Sequence, residues 1–219
     1  MLVDDLDSSV LSDADYNVWI QKAYKQLWSK LTRSGIYPNI DTHAIESTAN
    51  TTQYDLAADH YAIIAVHSDR GSGDWVPVTP MHIQDWPKYD TSREASYATR
   101  YLMHSLPSDS DQIRLFPKHS AGKDYRVIYV PNCPTLSTDT DTIDGVAGWE
   151  EFIYLDVAIR ARIKEQSEVG DLVNERAKIE QEIDELKTER ILESLMSPEG
   201  PTYYDNILAL DPATRSWRR

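Results

Sequence analysis

Cysteine is all but missing from this 219-residue chain. Cys133 stands alone, so no disulfide can close within the chain and no cysteine-rich metal site is available. A reducing compartment suits that usage, with Cys133 as a small apolar residue. Positive charge is scarce too: 22 Lys and Arg face 36 Asp and Glu, and a formal net charge of -14 repels phosphate backbones instead of gathering them. No apolar run approaches the length of a membrane span. The start, Met1-Leu2-Val3-Asp4-Asp5-Leu6-Asp7, has neither the basic residues nor the apolar stretch of a signal peptide. Catalytic signatures are lacking as well: there is no P-loop, GxGxxG, GxSxG or HExxH, and no helical i, i+4 pair among His43, His60, His67, His82, His104 and His119. Neither a cofactor nor a metal is called for.

What is present reads as α+β. From Ser12 to about Ser34, Trp19, Ile20, Ala23, Tyr24, Leu27 and Leu31 recur at three and four residues, predicting an amphipathic helix. Ser12 can cap it, Asp15 favours its positive end, and Gly35 can supply the left-handed stop before Pro38. Between about Gln53 and Pro131 come short β-type runs, Tyr61–Val66, Trp75–Val78, Gln112–Phe116 and Tyr125–Val130. They predict a small antiparallel sheet, with a hairpin tip at Gly71-Ser72-Gly73 and a short helix or turn carrying Met81, Ile83 and Trp86 across it. Helical spacing returns after the acidic Ser/Thr-rich loop from Ser137 to Asp144. Trp149, Phe152, Leu155, Ile159 and Ile163 form a stripe expected to pack on the first helix. Leu172, Ile179, Ile183, Leu186 and Leu195, in a background of Glu, Lys and Arg, predict a partly exposed or coiled-coil-like helix, with Gly170 as the break between the two.

The expected architecture is an antiparallel helical bundle with the sheet domain between its first and later helices. Residues 1–52 are the leading segment and first helix, 53–135 the β-rich part, 136–196 the later helices, and 197–219 an extended tail.

Four groups of residues carry chemistry that can be weighed against a plain structural role. Asp55, Asp59, His60, His67 and Asp69 flank the strong strands and could meet as metal ligands or an acid/base pair, but loop carboxylates beside strands are ordinary turn residues. Glu150 and Glu151 are adjacent on a helix and so do not face each other across a substrate; a position in the first helical turn accounts for them. Trp75, Trp86, Tyr89, Tyr97 and Tyr101 could offer stacking faces to a sugar, or simply fill a core with amphipathic edges. Tyr203, Tyr204, Ile207, Leu208, Leu210, Arg215, Trp217, Arg218 and Arg219 set apolar, aromatic and arginine side chains near the end of an otherwise acidic chain. That is the chemistry of an interface anchor, the plain alternative being a frayed basic tail.

The order of these pieces carries a resemblance. An amphipathic helix leads to "SGIYPNIDTHAIESTANTTQYDLAAD", then to "IRLFPKHSAGKDYRVIYVPNCPTLSTDTDTIDGVAGWEEFIYLDVAIRARIKEQSE" and a charged helix. Over roughly residues 12 to 195 the chain resembles the head-to-tail adaptor (connector, or neck) proteins of tailed bacteriophages. The resemblance implies a non-enzymatic virion subunit, assembled in the host cytoplasm. It would form a homo-oligomeric ring, a dodecamer, bound beneath the portal protein. That ring would extend the channel for genomic DNA without sequence-specific binding and present a surface to a downstream tail or nozzle protein, with no membrane involved. It assigns portal docking to Ser197–Arg219. The rival expectation is a carbohydrate-binding or glycan-cleaving virion module on the aromatic-rich sheet, and within the structural class, another neck or tail-completion protein.

Overall fold

A computed structural model describes residues 12–49, 51–89, 94–104, 111–138 and 140–196. The chain divides into two compact units, one made of Met1–Pro38 with Cys133–Arg219, the other of Asn39–Asn132.

The first unit is helical. Helix α1 (Asp13–Arg33) starts with the expected cap: the Ser12 hydroxyl accepts from Asp15 N–H while the Asp15 carboxylate accepts from Ser12 N–H, satisfying two otherwise orphaned donors. It stops where Gly35 takes φ 75°. The Gly35 and Ile36 amides donate back to the Thr32 and Leu31 carbonyls, closing the helix end in a left-handed turn that glycine adopts without strain. Its buried face is Ala23, Tyr24, Leu27, Trp28, Leu31 and Thr32. Helix α2 (Trp86–Tyr89) belongs to the other unit, and α3 (Glu150–Lys164) is the centre of this one. It packs on α1 and also on α4 (Gly170–Met196). Being covered from two sides, α3 buries more than a single stripe: Phe152, Ile153, Leu155, Asp156, Ala158, Ile159 and Ala161 are all inside. Ile163, expected in that stripe, is instead 60% exposed in the last turn. The break between α3 and α4 also falls earlier than expected. Gln166 adopts φ 58°, and the Gln166 and Ser167 amides donate to Ile163 and Arg162, so a non-glycine residue makes the left-handed cap while Gly170 opens α4. Helix α4 shows one narrow inward row, Leu172, Arg176, Ile179 and the fully buried Ile183, and leaves Val173 and Leu186 exposed.

The second unit holds the strands β1 (Asp41–Glu46), β2 (Gln53–Asp55), β3 (His60–Asp69), β4 (Trp75–Pro77), β5 (Thr79–Pro80), β6 (Glu94–Ala95), β7 (Arg100–His104), β8 (Gln112–Phe116), β9 (Lys118–His119) and β10 (Asp124–Pro131). In place of one antiparallel sheet there are two of four strands, ordered β1-β10-β3-β4 and β2-β8-β7-β5, and a small β6-β9 pair. The β5–β7 and β6–β9 pairings are parallel. Ile45, Val66, Tyr125 and Val127 from the first sheet meet Tyr101, Ile113 and Leu115 from the second in a shared core, completed by Leu56, Val78 and Ala98. Along β10 burial alternates through Tyr125, Val127 and Tyr129, and the register slips at Ile128/Tyr129 because β3 carries an extra residue there, Ile64; Val130, next to a second slip at Pro131, is buried as well. The turn at Gly71–Gly73 joins β3 to β4, and Trp86 of α2 packs against Phe116 of β8, with ring centroids 6.2 Å apart.

Candidate interaction surfaces

The side chains expected to dock on a partner, Tyr203, Tyr204, Ile207, Leu208, Leu210, Arg215, Trp217, Arg218 and Arg219, lie outside the described residues. The surfaces below are built by the two units themselves.

In the β unit the loop carboxylates and histidines do not converge. Asp55 accepts from the Gln112 side-chain amide at 2.7 Å, Asp59 from the Tyr129 hydroxyl at 3.1 Å, and Asp69 from Gly71 N–H at 2.7 Å, which closes the β3–β4 turn. His60 sits between the Ala57 carbonyl at 2.8 Å and the Asp111 carboxylate at 3.2 Å. His67 lies opposite Arg126 in the ladder; burial and then that guanidinium push its pKa below the ordinary value. Among the described residues no group of three or more His, Cys, Asp and Glu is placed to hold a metal ion.

Three of the aromatic residues weighed as a stacking platform, Trp75, Trp86 and Tyr97, are engaged by arginines. Arg126 lies 4.2 Å over Trp75, Arg114 4.3 Å over Trp86, and Arg70 4.7 Å over Tyr97, while Tyr101 is buried in the core. Trp75 is on β4 and Arg126 on β10, so this stack reaches across β3 and ties an edge strand to the sheet centre; contacts of this kind contribute roughly 0.5–1 kcal/mol each at exposed sites. One face of each of these three rings is thereby covered by a cation.

Among the described residues of this unit His119 is a buried histidine. It is 2% exposed, its Nδ1 donates to the Pro117 carbonyl at 3.2 Å, its Nε2 is 3.4 Å from the Tyr54 hydroxyl, and its ring lies 5.1 Å from that of Tyr125. Burial lowers its pKa, the Pro117 carbonyl opposing the shift. A proton added at Nε2 would be charge in an aromatic nest. Between the lowered folded pKa and the ordinary histidine value near 6.5, the unfolded chain binds more protons than the folded one, so stability rises with pH across that window. The denaturant midpoint should therefore fall as pH drops from 7 toward 5, and fall less in His119→Gln. Identical slopes in the two proteins would remove His119 from the account.

On the helical unit two surfaces of opposite sign flank α1. One is a groove of about 520 Å³ lined by Lys25, Gln26, Ser29, Lys30, Arg33 and Ser34 of α1 and its end, and by Asp184 and Lys187 of α4. Lys30 pairs with Glu180 at 3.0 Å; among the described residues no ion pair engages Lys25, Arg33 or Lys187. The other is the loop from Ser137 to Asp144, seated beside Asn17, Ile20, Gln21 and Tyr24. Asp141 shapes it by accepting from the Ser137 and Thr138 amides and the Thr138 hydroxyl, contacts that hold its carboxyl at about 2. The Tyr24 hydroxyl donates to the Asp144 carbonyl at 2.6 Å, and burial drives that phenol up to about 12, so it remains a donor. Cys133, at the start of this segment, has its thiol pushed up to about 11 by burial, partly offset by Lys25, and stays protonated near neutrality.

Ion pairs tie the helices together. Lys164 at the end of α3 donates to Asp15 at the start of α1 at 3.0 Å, and with the Ser12 cap holds that carboxyl at about 2. Asp156, 1% exposed on α3, bonds Arg160 at 2.6 Å and Arg176 of α4 at 2.7 Å; Arg176 continues to Glu180 and lies 4.9 Å over the Phe152 ring. Glu150 accepts from Gly148 N–H at 2.8 Å and so closes the turn leading into α3. Such an arrangement orders helices and presents charge. Among the described residues no helix is long and apolar enough to cross a membrane.

Residues 2–201 match a protein-family model, that of the SU10 adaptor protein. No curated protein matches the chain.

Proposed function

The chain belongs to the SU10 adaptor protein family, a family of phage head-to-tail adaptors, and from that premise we propose that it is a structural, non-enzymatic subunit of the virion neck. In this reading copies assemble into a ring beneath the portal protein, extend the DNA channel and offer their outer surface to the next tail component. Helices α1, α3 and α4 are the bundle that packs within the ring, and the two-sheet unit is carried as an insertion between α1 and α3. Ser197–Arg219 is the docking segment for the portal. The single observation that carries the proposal is the family match, which spans both units and reaches the start of that segment. The helical unit supports it by its form, since three helices that pack together and are tied by ion pairs, one of them on the buried Asp156, make a block suited to repetition.

The test is native mass measurement of the full chain alone and mixed with the portal protein of the same virion. A discrete complex holding a ring of copies per portal is the expected result. Absence of any complex, under conditions where the portal is itself assembled, would overturn the reading.

A further inference from the structure

We propose that the basic groove of one copy receives the acidic 137–144 loop of a second copy, making this pair the electrostatic contact between neighbours; the inference rests on the ring reading above. Identical copies each carrying a net charge of -14 repel one another, which favours a contact that sets opposite signs face to face. The helical unit has the two halves of such a contact. Lys25, Lys30, Arg33 and Lys187, set against Asp184 and Glu180, leave the groove with a surplus of positive charge on a strongly acidic protein. Exposed Asp141 and Asp144 give the loop the opposite sign.

Their placement suits neighbours in a ring. With about 100° of turn per residue, the arc of Asn17, Ile20, Gln21 and Tyr24, which borders the loop, is centred roughly opposite the arc of Gln26, Ser29, Lys30 and Arg33, which lines the groove, while Lys25, one turn on from Gln21, stands at the edge between them. A surface on one side of a copy that fits a different surface on its other side generates a closed ring when the rotation allows, whereas a single self-complementary patch stops at a dimer. The loop is also pre-shaped: the bonds from Ser137 and Thr138 to Asp141 fix it before contact, which reduces the entropy lost on docking. A groove about 520 Å³ in volume and open to solvent has room for such a turn.

The experiment uses the full chain and the portal protein of the same virion, with two exposed-surface variants, K25E/R33E in the groove and T140K/D144K in the loop, each checked by circular dichroism for a wild-type fold. Copies per portal and apparent affinity are read by native mass measurement and sedimentation. Each variant alone should lose ring occupancy, with apparent affinity down about tenfold or more, as expected for reversing charges that face each other. An equal mixture should regain full rings, because every junction then pairs opposite signs again. Full rings from the groove variant alone would overturn the pairing and leave the ring reading intact. So would a loop variant that assembles normally, or a mixture that fails to recover, since the groove would then serve some other acidic partner. Binding of a short DNA duplex by the wild type that is lost in K25E/R33E would overturn it in favour of nucleic acid. If the wild type itself forms no portal complex, the ring reading falls, and this pairing with it.

Discussion

A chain ending at Met196 is expected to fold as the full chain does and to fail completely at joining the portal. Among the described residues every buried hydrophobic side chain lies between Ala23 and Ile183, and the shortened chain keeps all of them, so an unfolding free energy within about 0.5 kcal/mol of wild type is the expected result. What it removes under the proposed function is the anchor: the aromatic pair Tyr203 and Tyr204, the apolar Ile207, Leu208 and Leu210, and the terminal Arg215, Trp217, Arg218 and Arg219. Trp, Tyr and Arg dominate interface energetics, and many copies engaging one portal multiply each copy's loss, so co-purification should drop by at least about a hundredfold. A full chain carrying only Trp217→Ala should fall between the two. Recovery of truncated rings at wild-type stoichiometry would assign portal docking elsewhere.

Asp156→Asn is the substitution expected to damage the fold most. The carboxylate is buried on α3 and is the shared partner of Arg160 and Arg176. Taking one partner from a fully buried pair costs about 3–5 kcal/mol; because the two arginine side chains keep 31% and 28% of their surface exposed, about 2–4 kcal/mol is the expected loss here. Asn preserves shape, so the loss reports charge and hydrogen bonding and not a cavity. The control is the pair Asp156→Leu with Arg176→Met, which removes the buried carboxylate together with its partner on α4 and should recover most of the stability. Helical circular dichroism followed through denaturant gives both numbers. An unchanged midpoint in Asp156→Asn would mean that α3 and α4 are held by Leu172, Ile179 and Ile183 alone.

Local rules are legible in the residues themselves. Ser12, Asp15 and Gly35 bracket α1 because capping and left-handed stops act within a few residues, and the strands around Ile64, Val76, Leu115 and Val127 announce themselves by composition. Strand β1 does not: in Asp41–Glu46 only Ile45 is buried, and the remaining pattern is set by pairing with β10, far along the chain. Spacing misplaces Ile163 for a related reason, since it shows which residues share a face and not where the neighbouring helix ends. The Gln166 cap lies outside the usual glycine signal, and only the backbone reveals it.

The surfaces divide in the same way. The aromatic and arginine segment from Tyr203 to Arg219 and the acidic loop from Ser137 to Asp144 are contiguous in sequence and visible there. The groove is not, because Lys25, Lys30 and Arg33 read as the ordinary basic end of a helix and Lys187 comes from α4. Nor are the arginine stacks on Trp75, Trp86 and Tyr97, whose partners are distant in the chain except as neighbours in a folded sheet. The sequence by itself determined the helices with their caps, the main strands, the acidic balance and the order of segments that carries the family likeness, because each of these depends on neighbouring residues or on composition. Tertiary structure alone decided that the strands form two sheets and not one, that Asp156 is buried between two arginines, and that opposite charges occupy opposite sides of α1, because these depend on which distant segments the packing brings together.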